Sequence, residues 1–331
     1  MENPKIIVSG VTGDTSVKEE MKSAIRSRVE KTLNTMREEK LHPFEGEVEK
    51  TEKQLAYIDA VERYLQKTFK ILNIPHEGRF IDPDQVHYFP KDILEKNFSD
   101  ITCDVGGFFS TADRALCMKS YDDSEKEELN KTEIRDLENL AHESIHLVSH
   151  SKFQANLVSG TKLNIGNYRT GYLVQSSESG EMKFNGFNEG VVCITERLSL
   201  INEAEELKRQ FNATDKQIEN LGYDAYIQNQ MLVYALVGKI AEYRKESPVR
   251  ALSRIIRGQF TGEMMHLRDV DDIYGKGSLD LLAKYQSSKD PRMNGDRDDL
   301  ILAYFQSDDQ EERDDLKKKI DDMESKKEKI N

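Results

Sequence analysis

The chain has 331 residues, long enough for one large domain or two to three smaller ones. Its net charge of -13 disfavours nucleic acid and anionic membrane surfaces as main partners, because both are bound chiefly through Lys and Arg. Hydrophobic residues are 37% and charged residues 33% of the chain, which excludes a disordered polyelectrolyte and indicates a folded protein with a heavily charged surface.

The three cysteines, Cys103, Cys117 and Cys193, are far apart and odd in number, so they do not suggest a disulfide framework. A reducing compartment fits this pattern better. No signal peptide is evident at the first residues, and no run of about 18 apolar residues occurs anywhere. We therefore expect a protein without membrane spans that stays in the cytoplasm. Secretion by a route without a cleaved signal is the alternative.

The first 74 residues predict a helical region. After a short strand or irregular lead-in over 1–13, apolar residues recur at steps of three and four across 14–41 and again across 47–72. Pro43 and Gly46 separate the two stretches. We expect two amphipathic helices that form a hairpin against the rest of the chain.

The central part of the chain changes to short apolar runs punctuated by Pro and Gly. Residues 106–109 and 114–118 predict two strands joined by a polar turn, and residues 167–174 predict a further strand. Helices are expected to begin near Asn130 and near Asn188. This alternation indicates an α+β core, with a small mixed sheet and two helices that carry the site.

The rest of the chain is predicted to be mainly helical, with helices over 215–243, 248–256, 278–285 and 298–305. A very charged stretch follows and is expected to be a solvated helix. The predicted organisation has four parts: a helical N-terminal region over 1–74, a catalytic core over 75–202, a helical C-terminal region over 203–307 and a charged tail over 308–331.

The chemistry is concentrated in one short motif, His142-Glu143-Ser144-Ile145-His146. Residues four apart in a helix lie one above the other, so His142 and His146 can offer two imidazoles to one metal ion. Glu143 lies beside them, where it can act as general base towards a zinc-bound water. The neighbouring residues are uncharged, as expected for a buried helix whose polar groups face a metal. The motif therefore predicts a Zn²⁺-dependent hydrolase.

A second signal lies downstream in Asn188-Glu189-Gly190, with Glu196 seven positions beyond Glu189. Together with the first motif, it resembles the gluzincin metallopeptidases, which include thermolysin-like enzymes and aminopeptidases with an N-E-G motif. The resemblance covers residues 105–200. It implies a zincin-like core, Glu189 as the third zinc ligand, and Glu196 as a carboxylate that holds a ligand histidine. A carboxylate of that kind is also expected on general grounds.

The chain departs from the N-E-G aminopeptidases in two respects. His146 and Glu189 are 43 positions apart (189 minus 146), a longer spacing than in those enzymes. The Gly-x-Met-Glu-Asn stretch that anchors a free amino terminus is absent. We therefore expect a diverged gluzincin that acts as an endopeptidase on a peptide or protein substrate.

Several assignments stay open from the residues alone. Glu196, His150 and Cys193 are alternatives to Glu189 as third ligand. Tyr172 is our choice for the group that steadies the oxyanion, and Tyr168, Tyr223 and Tyr226 are alternatives. Residues 114–118 are the expected edge strand along which substrate lies extended.

Three rival functions are compatible with the same motifs. The chain could be a zinc-bound, zincin-like protein that serves binding or scaffolding, although Glu143 argues against this because a structural site needs no base. It could be an effector protease directed at one host protein, with the helical flanks as recognition parts. It could also be a helical interaction protein in which the motif arose by chance; about one zinc per chain would exclude this.

Overall fold

The structure is a computed structural model of the 331-residue chain. It describes most of the sequence, in ten stretches. These are residues 5–9, 15–40, 44–98, 106–111, 114–120, 133–158, 162–175, 181–221, 226–286 and 295–328.

Helices make up most of these residues. In chain order they are α1 (Thr15–Lys40), α2 (Glu52–Ile71), α3 (Lys91–Asn97), α4 (Glu133–Val148), α5 (Asn185–Ile201), α6 (Ala204–Phe211), α7 (Asp215–Glu219), α8 (Ile227–Arg244), α9 (Pro248–Thr261), α10 (Asp269–Tyr274), α11 (Ser278–Lys284), α12 (Asp296–Gln306) and α13 (Gln310–Glu328). Two 3₁₀ turns cover Pro83–Gln85 and Met265–Arg268.

Eight short strands accompany the helices in the described stretches. They are β1 (Lys5–Ser9), β2 (Val86–Pro90), β3 (Gly107–Ser110), β4 (Ala115–Ser120), β5 (Ser151–Val158), β6 (Lys162–Thr170), β7 (Leu173–Gln175) and β8 (Met182–Lys183). Parallel and antiparallel pairs occur in both sheets, so both are mixed. The predicted α+β class is confirmed.

The first of two compact units comprises Met1–Thr170 and Leu198–Leu221. One of its sheets has the order β2-β4-β3, with β4 in the middle, parallel to β2 and antiparallel to β3. In the other, β5 lies between β1 and β6. Helix α4 packs on β3 and β4, and α2 packs on α4. The first sheet and α2 thus hold α4 in place.

Helix α2 shows why the N-terminal part folds as predicted. Thr51 caps the helix, and its side chain and that of Gln54 form a reciprocal capping box. The apolar positions at helical spacing are buried against the unit's core: Tyr57, Ile58, Val61, Leu65 and Phe69. Their burial supplies most of the helix's stability, because helix propensity alone is weak.

Helix α2 also carries a buried charge, Glu62, whose exposed fraction is 6%. Its carboxylate accepts hydrogen bonds from the backbone N–H groups of Phe80 (3.0 Å) and Ile81 (2.9 Å) and from Gln66 Nε2 (2.7 Å). The carboxylate therefore provides hydrogen-bond acceptors for the N–H groups of two residues that do not belong to a strand.

We expect Glu62→Ala to lower the free energy of unfolding by about 3 kcal/mol, because each buried N–H left unsatisfied costs about 1–3 kcal/mol. Urea denaturation followed by circular dichroism measures this. Glu77→Ala removes an exposed carboxylate nearby and serves as control, with a change within about 0.5 kcal/mol. Equal urea midpoints for the two variants would show that the hydrogen bonds of Glu62 do not stabilise the fold.

The second unit comprises Gly171–Arg197 and Gly222–Asn331. It is mainly helical, with β7 and β8 as an antiparallel pair. Helix α8 packs against α9, α10 and α12, and α12 against α13. Tyr274, Tyr304 and Phe305 form a buried aromatic cluster in which each tyrosine hydroxyl donates to a backbone carbonyl. The predicted boundaries of the four parts stay predictions.

Several predicted elements differ from those in the structure. The strand expected over 167–174 is interrupted at Gly171, whose φ of +58° lies in the left-handed region, so β6 ends and β7 begins there. The helix expected over 215–243 is two helices, α7 and α8. Strand β5 was not predicted at all. Within the described residues, no helix combines the length and the apolar character needed to cross a membrane.

Candidate metal centre

In the first unit, α4 carries the motif on one side of a buried helix. His142, Glu143 and His146 are half-buried, while every other residue from Ala141 to Val148 is buried. This contrast follows from the sequence, because apolar residues occupy the positions that face the sheet and α2. The three polar side chains therefore share the accessible side, as the motif predicts.

The two imidazoles have the separation that a shared ion requires. The ring centroids of His142 and His146 are 5.1 Å apart, with an interplanar angle of 66°. For Zn–N bonds of about 2.1 Å at a tetrahedral angle, the centroids of two ligand rings would be about 5 Å apart. The separation of the two rings is compatible with a shared metal ion.

Glu143 is held by a backbone group of β3. Its Oε2 accepts a hydrogen bond from the Phe109 N–H at 2.9 Å. In an antiparallel pair, every second residue of a strand points its N–H and C=O at the partner strand, and the residues between them point these groups away. The Lys119 N–H of β4 donates to Gly106 O, so Gly106 points towards β4. Phe109, three residues later, therefore points its N–H and C=O away from β4. Oε1 of Glu143 has no hydrogen-bond partner in the part of the chain that the structure describes. One oxygen of the Glu143 carboxylate is thus fixed by the backbone of β3.

A close approach between β3 and α4 makes this contact possible. A Cβ on Gly106 would lie 2.0 Å from Nδ2 of Asn139, one turn before Glu143, so a larger residue at position 106 would require the Asn139 side chain to move. At the end of α4, Arg114 Nη2 donates to Leu147 O at 2.9 Å and caps a carbonyl of the last turn. Sequence reasoning missed the roles of Gly106, Phe109 and Arg114, since nothing in their local pattern marks them.

The strand predicted to form the substrate edge is not at an edge. Residues 114–118 fall largely within β4, which lies between β2 and β3. That prediction was wrong, because alternation in a short apolar strand gives no information on its place in the sheet. Strand β3 has the outer position beside α4.

Helix α5 begins at Asn185, earlier than predicted, and its residues up to Arg197 belong to the second unit. Glu189 is half-buried. Cys193, about one turn further along the helix, is 0% exposed, and Glu196, about two turns beyond Glu189, is 3% exposed. Glu189 and Glu196 are two turns apart, about 10 Å along the axis. The two carboxylates therefore cannot both contact one metal ion.

The two residues that flank Glu189 pack within the second unit. Asn188 lies inside the first turn of α5, and its Oδ1 accepts from the backbone N–H of Tyr172 at 3.0 Å. At Gly190, the backbone of Asn229 lies 2.4 Å from where a Cβ would stand. Gly190 therefore permits close packing of α5 on α8.

Tyr172 is fully buried in the second unit. Its hydroxyl donates to Ile255 O at 2.8 Å, so it accepts from His266 Nε2 at 2.6 Å. A hydroxyl engaged in this way holds the unit's interior together. An oxyanion group must reach substrate, and these contacts argue against that role for Tyr172.

The remaining alternatives are spread over the fold. His150, an alternative third ligand, lies beyond α4, which ends at Val148. Tyr168 is half-buried in β6, and Tyr226 immediately precedes α8. Tyr223, Asn130 and Cys103 lie outside the described residues. Cys117 and Cys193 are buried, and neither forms a disulfide within the described residues.

Among the described residues, His142 and His146 of the first unit carry metal-binding side chains, and Glu189, Cys193 and Glu196 of the second unit carry groups of the same kind. The two imidazoles of α4 are groups of the kind that catalytic zinc sites use as ligands. Comparison with protein-family models, curated proteins and solved structures finds no match.

Proposed function

We propose that this chain is a zinc-dependent peptidase with a zincin-like core, acting as an endopeptidase on a peptide or protein substrate. His142 and His146 hold Zn²⁺ together with Glu189, Glu143 is the general base, and Glu196 supports a ligand histidine. A cytoplasmic location, and a role that involves neither nucleic acid nor membrane, belong to the same proposal.

The observation that carries the proposal is the environment of Glu143. The residue stands between two imidazoles whose spacing suits one zinc ion, and one of its carboxylate oxygens is bound by the Phe109 N–H. A purely structural zinc site takes four protein ligands and has no use for a free carboxylate beside them. A held carboxylate with an available oxygen is what general-base catalysis requires.

The chain's own residues would divide the reaction as follows. Bound zinc supplies a Lewis acid that polarises the scissile carbonyl and acidifies water. Oε1 of Glu143 takes a proton from the attacking water and later delivers it to the nitrogen of the leaving amine. Oε2 stays on the Phe109 N–H throughout, which keeps the carboxylate oriented between the two transfers. The products are a carboxylate and an amine.

Strand β3 offers the place where an extended substrate would bind. The Phe109 C=O faces the same way as its N–H, away from β4, and so can accept a hydrogen bond from a peptide added along this edge. Because the same residue holds Glu143, such a peptide would lie next to the base. The edge strand thus supports peptide, rather than a small ester, as the substrate class.

The experiment that tests the proposal has two stages. Elemental analysis of the purified chain should find about one zinc per molecule, and a peptide library should be cleaved at internal bonds, with cleavage lost on chelation and restored by zinc. Absence of stoichiometric metal would reject the proposal and leave a helical interaction protein. Zinc without cleavage would favour the scaffolding alternative. Cleavage of one host protein but not of the library would favour the effector protease.

Glu196 provides a quantitative check on this arrangement. We expect Glu196→Ala to weaken zinc affinity or activity about ten- to a hundredfold, because loss of a carboxylate that orients a ligand has that effect. Isothermal titration with zinc measures the affinity, and circular dichroism checks that α5 is retained. An unchanged affinity and rate would remove Glu196 from the site.

A further inference from the structure

Asn188 is a buried amide at the start of α5 with an unusually full set of contacts, all within the second unit. It is 0% exposed. Its Oδ1 accepts from three donors: the N–H of Tyr172 (3.0 Å), the N–H of Leu173 (3.3 Å) and Gln259 Nε2 (3.1 Å). On its other side, Nδ2 donates to Oε1 of Glu189 at 3.4 Å.

These contacts determine which way the amide points. Two of the donors are backbone N–H groups, which cannot become acceptors, so Oδ1 has to face them. Nδ2 is then directed to the carboxylate of Glu189, its neighbour on α5. Asn188 thereby ties that carboxylate to the turn at Gly171, a segment distant from it in sequence.

Gln259 completes the arrangement from α9. It is 0% exposed, and a Cβ on Gly171 would lie 2.1 Å from its Nε2. The left-handed glycine therefore gives Gln259 the space from which it reaches Asn188 Oδ1. We call Asn188 and Gln259 the amide clamp.

We propose that the amide clamp positions the Glu189 carboxylate as a metal ligand, with one oxygen held by Asn188 Nδ2 and the other directed to the ion. Carboxylates that bind metals are commonly held in this way by a hydrogen-bond donor, and loss of the donor lowers metal affinity. This inference rests on the proposed function, because it takes Glu189 as a zinc ligand. Asn188 and Gln259 are positioning residues and do not touch the metal.

The test compares Asn188→Ala and Gln259→Met with the parent. Zinc affinity is measured by competition with a chromogenic chelator, and the visible spectrum of the Co²⁺-substituted protein reports the ligand geometry. We expect Asn188→Ala to weaken zinc binding about ten- to a hundredfold and to alter the Co²⁺ bands. Gln259→Met should weaken binding by about fivefold, the equivalent of one hydrogen bond.

Ser278→Ala is the matched control. It removes a buried hydroxyl of the second unit that bonds to Gly275 O and Tyr304, without contact to the clamp. It should lower thermal stability yet leave the zinc affinity and Co²⁺ spectrum unchanged. If the clamp variants behave like this control, the clamp only supports the fold and the inference is overturned.

Glu189→Ala separates this inference from the proposed function. If Glu189→Ala loses zinc while both clamp variants keep parental affinity and spectrum, the clamp proposal fails and the zinc site stands. If Glu189→Ala binds zinc as the parent does, the ligand assignment fails first. Should Asn188→Ala not fold, Gln259→Met decides the question, because it keeps the backbone contacts of Asn188.

Discussion

Glu143→Gln is expected to retain zinc and to lose about 10²- to 10⁴-fold in the rate of peptide cleavage, the usual contribution of a general base. The amide has nearly the same shape as the carboxylate, and its oxygen can still accept the Phe109 N–H, so the contact with β3 is preserved. An amide cannot take a proton from water at neutral pH. The expected defect therefore lies in the chemical step, with kcat reduced and zinc content unchanged.

Asp136→Asn is the matched control for this variant. Asp136 lies two turns before Glu143 on α4, is half-buried, and undergoes the same change from carboxylate to amide. It should cleave peptide at a rate close to that of the parent. A Glu143→Gln protein with parental cleavage would show that another group acts as the base, and the mechanism above would have to be abandoned.

Glu189→Ala is expected to lower zinc affinity more than about a hundredfold at neutral pH, beyond the range for residues that only support a ligand. Catalytic zinc is bound by three protein ligands, and two histidines from one helix do not retain it well. Zinc titration against a competing chelator gives the affinity. The helix itself should persist, because the neighbouring anchor of Asn188 to the Tyr172 backbone is untouched.

His150→Ala and Cys193→Ser are the controls, and both are expected to keep zinc. His150 lies beyond the end of α4, and Cys193 is buried within α5. If Cys193→Ser or Glu196→Ala removed zinc while Glu189→Ala kept it, the ligand set would be His142, Cys193 and Glu196. That result would end the resemblance to gluzincins as an explanation of the site.

The sequence by itself determined the local features of the site. The spacing of His142 and His146, together with the apolar residues around them, decides which side of α4 they occupy, because a helix repeats every 3.6 residues whatever it packs against. The buried face of α2 and its cap at Thr51 follow from the same local rules. The α+β class likewise follows from the change in periodicity along the chain.

Only the tertiary structure decided which groups meet those side chains. The Phe109 amide that holds Glu143 is 34 positions away in sequence, and the Gln259 amide that reaches Asn188 is 71 positions away. The tertiary structure also places β4 in the middle of its sheet. It brings the Tyr172 hydroxyl into hydrogen-bonding distance of Ile255 O and His266 Nε2. The periodicity of a segment shows which of its faces is apolar, but it does not show which other segment will cover that face. That is decided by packing between segments distant in sequence, where a close approach at a glycine or a single buried hydrogen bond can favour one contact over another.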